Sequence, residues 1–413
     1  MAGVRRHVSA AQRAPDLVDT LPASGTAASA ARPNTQALGL LALGHLVVDM
    51  NQGVLAPLLP FLKGVFGLSY AASGAILLVS SLTSSLVQPI FGYLADRTAR
   101  RWLLPWAVVL SAAGVALAGL ASSYWVLLAL VLVSGLGVAA YHPEGYRTAN
   151  QVAGARKATG LSLFSIGGNI GIALGPLAVS FLVPRFGLPG TLGLLGPGLL
   201  VAALLATILP TLVTVPAHGT QVRAARTGGR DMRGAMALLI GIVTTRSWTQ
   251  FGLVTFVPFL YVDALGQDPR VVGPLLFLFL GAGAVGTLVG GPIADRWGPR
   301  RYLVASLALS TPLIAVFVWR PGGWLAAVVL AAAGFVLVSS FSVTVALGQA
   351  YLPRHLGMAA GLIVGLAIGT GGLGVTVLGW IADHWGLYAA LHLVTVLPIA
   401  GLAVALCLPE PRA

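Results

Sequence analysis

The stretch Gly92-Tyr93-Leu94-Ala95-Asp96-Arg97 returns 199 residues later as Gly291-Pro292-Ile293-Ala294-Asp295-Arg296. Each copy follows one long apolar run and precedes another, so the chain reads as two related halves that arose by duplication. The full pattern is GxxxDRxGxR. The second copy completes it with Gly298 and Arg300, and the first has Ala99 and Arg101 at those places. The glycine predicts close approach of a neighbouring helix. An Asp at a helix end accepts from exposed backbone N–H groups or pairs with Arg across the halves, a latch that breaks when the halves move. The blander alternative, loop charge that only orients the protein, needs no Asp at fixed spacing.

Around these loops the chain is too apolar for water. Of its 413 residues 57% are hydrophobic and 8% charged, against roughly 25% charged in a soluble domain. A crossing takes about 20 apolar residues, so the chain after its N-terminal tail has room for about twelve and no second soluble domain. Apolar stretches fall at 37–62, 69–94, 102–121, 124–143, 158–183 and 188–210, then at 236–262, 270–292, 301–319, 323–350, 358–382 and 387–408. The expected organisation is therefore a disordered tail (1–35), a six-helix bundle (36–210), a polar linker (211–235) and a second six-helix bundle (236–408). The tail, with Arg5, Arg6, Arg13 and Arg32, lacks the continuous apolar run of a signal peptide. The single cysteine, Cys407, excludes disulfides within the chain and cysteine metal sites.

The net charge of +13 could suggest nucleic acid, but the basic residues are scattered through short loops. All of the 24 except Lys63, Arg185, Arg270, Arg320 and the intrahelical Arg246 fall on the side that carries the tail. That asymmetry predicts cytoplasmic termini for a multi-pass protein of the cytoplasmic (inner) membrane.

Two charges fall at membrane depth. Asp49 lies about 12 residues into the first helix, roughly 18 Å deep, and Arg246 about 10 residues into the seventh, roughly 15 Å deep. The 199-residue offset maps Asp49 onto position 248, which makes Arg246 nearly its counterpart and predicts an acid opposite a base across one cavity. A charge at the bilayer centre costs at least about 2.5–3.5 kcal/mol, so such residues line a wet pathway or pair with each other. The alternative to function is a structural ion pair. His45, one turn before Asp49, is either a proton relay or a packing histidine. His142 and Glu144, placed near the cytoplasmic end of the fourth helix, read either as an inner proton exit or as helix-end groups, with Arg147 as partner. Asn51, Gln52, Gln88, Asn169, Trp248 and Gln250 are candidates to line a substrate cavity or to join helices. Gly167, Gly171 and Gly175 with Pro176 place glycines every four residues on one face of the fifth helix, a surface for close packing. Gly365 and Gly369 are their counterparts on the eleventh.

The repeated loop resembles the signature of the major facilitator superfamily, and the likeness extends over nearly the whole chain. More narrowly, four stretches look like the fosmidomycin resistance subfamily: Gly44-His45-Leu46-Val47-Val48-Asp49-Met50-Asn51-Gln52, Ser84-Ser85-Leu86-Val87-Gln88-Pro89, Tyr141-His142-Pro143-Glu144 and Arg246-Ser247-Trp248-Thr249-Gln250-Phe251-Gly252. Gly348-Gln349-Ala350-Tyr351-Leu352-Pro353-Arg354-His355, followed by Gly371-Gly372-Leu373-Gly374, adds to it. The fifth helix resembles part of the exporters' glycine motif, with Ser162 at its first glycine and Val179-Ser180 at its terminal pair. The resemblance implies two six-helix bundles, a monomer, and export of drugs in exchange for protons. In that scheme Asp49 takes up a proton facing outward and releases it inward, while Arg246 attracts an anionic or acceptor-rich substrate. The partners expected are a small-molecule substrate, protons and lipid, with no nucleic acid, no cofactor and no metal. No GxxxxGK[ST] sequence that would bind ATP and no HExxH pair appears, which argues against a pump or an intramembrane enzyme. A symporter or facilitator importing an organic anion is the nearest rival, and a non-transporting receptor a distant one.

Overall fold

The computed structural model describes residues 33–91, 102–154, 156–212, 231–355, 358–359, 361–367 and 369–410. Among them no strand occurs. The long helices are α1 (Thr35–Phe66), α2 (Tyr70–Leu86), α3 (Leu103–Ala118), α4 (Tyr124–Val152), α5 (Lys157–Phe186), α6 (Leu195–Thr207), α7 (Arg233–Phe259), α8 (Val272–Trp297), α9 (Pro299–Trp319), α10 (Gly323–Tyr351), α11 (Gly371–Trp385) and α12 (Leu387–Leu406). A π-helical stretch, Gly361–Ala367, leads towards α11. Nine helical spans among the described residues are long and apolar enough to cross a membrane. The anticipated tail and linker lie largely outside the described residues.

Polar caps set where several helices begin. The Asn34 side chain accepts from the Ala37 amide at 3.0 Å and donates to the Leu212 carbonyl at 2.9 Å, tying the start of α1 to the end of the first half. Ser69 and Ser123 cap α2 and α4 in the same way. The bundle is inside-out by the standards of a soluble protein: Phe181, Leu199, Leu200 and Leu288 are exposed, as are Trp125, Trp319 and Trp324 at helix ends. An apolar mantle with tryptophans near its rims fits lipid on the outside.

One expectation is corrected here. The fourth helix does not stop near Pro143 but continues to Val152. An internal proline removes a single backbone hydrogen bond, and neighbouring helices in a bundle make that tolerable. His142 and Glu144 therefore lie well inside α4, not at its end.

The buried side chains show how the halves meet. At the end of the bundle away from Asn34, one apolar core runs through both halves, from Val54, Leu58 and Leu62 of α1 to Phe256, Phe259 and Phe279 of α7 and α8. At the end that carries Asn34, Leu212 and Met232 the core is split. Leu38, Leu41, Tyr141 and Leu205 form one cluster, and Leu239, Leu303, Leu347 and Tyr351 form another. Across the halves α2 packs on α11 and α5 on α8. Among the described residues, the two halves thus share one core at the far end and have separate cores at the end near the linker.

Candidate functional site

Asp49 stands about 21 Å along α1 from Thr35, near the middle of that helix. His45 lies one turn earlier on the same face, with its Nε2 3.3 Å from Asp49 Oδ2. Because α4 continues past Pro143, His142 reaches the same carboxylate, its Nε2 3.1 Å from Asp49 Oδ1 and 3.1 Å from His45 Nε2. The other ring nitrogens are fixed from outside. His45 Nδ1 faces the Phe164 carbonyl of α5 at 2.9 Å, so it carries a hydrogen and donates. His142 Nδ1 faces the Gln88 amide nitrogen at 3.0 Å, so it accepts. His142 Nε2–H is then the donor to Asp49.

Counting hydrogens leaves one position open. With both imidazoles neutral and the carboxylate ionised, His45 Nε2 and Asp49 Oδ2 confront each other with lone pairs only. A single added proton turns that confrontation into a hydrogen bond. The three side chains make one unit with room for one exchangeable proton. Its walls are apolar: Phe164 stacks on His45 with ring centroids 4.3 Å apart, and Tyr146 meets it edge-on at 6.0 Å. Gly168 completes the seat. A Cβ there would lie 2.5 Å from both Asp49 Oδ2 and His45 Nε2. His45, Asp49 and His142 also have ligand atoms within 4.8 Å of one another, close enough to suit a metal ion as well as a proton; His142 Nε2–H accounts for its own contacts with Asp49 and His45 as hydrogen bonds.

The remaining candidates separate into distinct places. Glu144 is buried and holds Arg147 through two contacts, so of its two anticipated roles the Arg147 pairing is the one observed. Asn51 donates to Ser111 of α3 and Gln52 to Ser84 of α2, contacts that join helices. Asn169 is exposed on α5. Arg246, at the middle of α7, is 2% exposed. Its Nη1 donates to Gln250 at 3.3 Å, its guanidinium lies 5.9 Å from the Phe341 ring centroid, and its Nε finds no partner. The Trp248 indole packs against Gly374, and its N–H is likewise without a partner. A direct ion pair between Asp49 and Arg246, the alternative to function, does not occur among the described residues. The carboxylate is taken by the two histidines, and the guanidinium has no acid beside it among the described residues.

Of the repeated loop, Gly92, Asp96, Arg97 and Arg101 lie outside the described residues. In the second copy Asp295 and Arg296 are exposed, and Arg300 turns to the end of α12, donating to Leu406 at 2.6 Å with Glu410 at 3.9 Å. Gly298 has φ 94°, a conformation that favours glycine. The closely packed glycine is Gly290, one residue before Gly291, whose Cβ position would meet only Ser342 Oγ, at 3.9 Å. On α5, Cβ atoms at Gly167 and Gly171 would collide with the backbone of Ala42 and Leu46, and one at Gly175 with Gly53. The Pro176 carbonyl faces Gly273 of α8. Gly369 faces Ser85, whereas the Cβ direction of Gly365 is open, so the correspondence with α5 does not extend to packing there. The π-helical turn Gly361–Ala367 shifts the helical register around Gly365.

Sequence reasoning missed Phe164, Gly168 and the His142–Asp49 contact, because no local period links α4 or α5 to α1. It also missed Asp383, although Gly379-Trp380-Ile381-Ala382-Asp383 repeats the loop pattern in plain view.

The comparisons agree with this architecture. The profile described as Major Facilitator Superfamily matches residues 41–363 and 236–413. The fosmidomycin resistance protein of Escherichia coli (strain K12) is 30% identical over 397 residues, covering 95% of this chain and 97% of that protein. The uncharacterized MFS-type transporter YfnC of Bacillus subtilis (strain 168) is 32% identical over 384 residues, covering 90% and 92%. In fold, the chain is similar to a bacterial homolog of the human lysosomal transporter Spinster in an inward-facing, unoccupied conformation. The TM-score is 0.77 at 16% identity, covering 91% of this chain and 96% of that one. The chain is a membrane transporter of the major facilitator superfamily and resembles its fosmidomycin resistance members.

Proposed function

We propose that this transporter exports a small anionic or acceptor-rich compound in exchange for protons, by alternating access in the cytoplasmic membrane. All twelve long helices cross the bilayer as a monomer with both termini in the cytoplasm, so the joined end faces outward and the split end inward. Residues 36–210 and 236–408 are the two rocking bundles, and 211–235 is the linker between them.

The observation that carries the proposal is the unit of Asp49, His45 and His142 with its single open proton position. A carboxylate at mid-membrane depth is expensive to maintain without a function. Arg246 and Trp248 supply unpaired donors at similar depth in the other half, which suits an acceptor-rich substrate such as a carboxylate or phosphonate. Coupling follows when proton and substrate each favour a different state of the bundle. One proton moving down 100 mV yields about 2.3 kcal/mol, which sustains roughly a 40-fold solute gradient. The relative named for fosmidomycin resistance supports a drug-like substrate.

The test is reconstitution in liposomes under an imposed pH gradient, with fosmidomycin and a panel of organic anions and drugs added in turn. Substrate-triggered proton release that Asp49→Asn abolishes and Arg246→Ala weakens at least tenfold is the expected result. Gradient-independent uptake untouched by either change would overturn the coupling and leave a facilitator.

A further inference from the structure

The ends of α8 and α11 carry the same eight-residue pattern: Gly291-Pro292-Ile293-Ala294-Asp295-Arg296-Trp297-Gly298 and Gly379-Trp380-Ile381-Ala382-Asp383-His384-Trp385-Gly386. Both close with a glycine at positive φ, 94° and 86°, whose amide returns to the carbonyl of Ala294 or Ala382. Both lead directly into the next helix. The two turns nevertheless sit at opposite ends of the bundle, because α8 and α11 run in opposite directions, and their acids behave differently.

Asp295, at the split end, is exposed. Asp383, at the joined end, crosses between the halves and accepts the Tyr70 amide at 2.7 Å and the Ala71 amide at 2.9 Å. These are the first two residues of α2, a helix with no acid in its own first turn, and Ser69 takes the third amide, that of Ala72. A carboxylate from the second half thus caps a helix of the first, where the helix dipole favours a negative charge. Asp263 reinforces it from the π-helical turn Leu260–Ala264 that follows α7, with Lys63 Nζ at 3.1 Å and the Tyr70 hydroxyl at 3.1 Å. Lys63 lies 4.7 Å from the centroid of the Tyr70 ring. The helices meet closely enough for backbone capping because Gly379 leaves no side chain against the Tyr70 carbonyl, nor Gly74 against that of Val375.

We propose that the α11–α12 turn is an outer latch: Asp383, backed by Asp263 on Lys63 and Tyr70, holds the outward end shut in this state and releases α2 when that end opens. It is a third occurrence of the chain's repeated loop pattern, at the face opposite to the copy that ends α8. The latch biases the equilibrium without dictating it, since water can satisfy two freed amides at a membrane surface.

The inference rests on the alternating-access reading but is tested without substrate or proton flux, so the two can fail separately. Spin labels at Trp125→Cys and Trp324→Cys, in a Cys407→Ser background, report the separation of the two halves at the outward end in reconstituted protein. Asp383→Ala is expected to raise the population with the longer distance about five- to tenfold. Asp383→Asn, which keeps an acceptor but loses the charge, should move it the same way by less and covers the case in which the alanine variant does not fold. Asp268→Ala is the control, because Asp268 pairs with Arg270 inside one half and is exposed. A distance distribution for both Asp383 variants that matches the Asp268→Ala control would overturn the latch.

Discussion

Asp49 illustrates how a single residue takes its chemistry from neighbours far along the chain. Its depth is legible from helix length, but its role as half of a shared proton position comes from His142, 93 residues away, and from the Phe164 carbonyl that fixes His45. Arg246 shows the complementary case: a guanidinium with one weak side-chain acceptor, an unpartnered Nε and no acid among the described residues. Burial of an unpaired charge is unfavourable, so Arg246→Met should make the protein harder to denature, by about 1–3 kcal/mol, while removing substrate-dependent flux. Thermal unfolding in detergent and transport in liposomes check the two halves of that expectation. Loss of stability together with activity would instead mark Arg246 as structural.

At the scale of elements, α5 lies against α1 through glycines. Any side chain at Gly171 enters the backbone of Leu46, so Gly171→Leu should separate the helices, cost about 1–3 kcal/mol or more, and disturb the seat of His45. Gly365→Ala, where the Cβ direction is open, should be neutral or stabilising by about 0.5–1 kcal/mol. Comparing unfolding of the two variants separates packing glycines from those that only share a sequence offset. The glycine face of α5 was legible from its four-residue spacing. Its supposed counterpart on α11 was not, because the π-helical turn breaks the register that the offset assumes. Pro143 misled in the same way. Proline is the strongest local stop signal, yet α4 runs on to Val152 and thereby carries His142 to Asp49.

For the whole molecule, orientation and state are separate questions. The excess of Arg and Lys on one side predicts that the end carrying Glu410 is cytoplasmic. Cys407, exposed and the single cysteine of the chain, provides a probe. A membrane-impermeant maleimide should label it in inside-out vesicles and leave it unlabelled in right-side-out ones, and the reverse pattern would invert the topology. Composition, the spacing of apolar runs, the duplicated loop and the charge asymmetry suffice for membrane class, helical fold, expected orientation and family, because each is a local or additive property of the chain. They do not reveal which end of the bundle is closed, that His142 joins Asp49, or that Asp383 caps a helix 312 residues away. Those contacts depend on how each helix is rotated and tilted against its neighbours, and packing between distant segments sets that rotation where no periodicity within a segment records it.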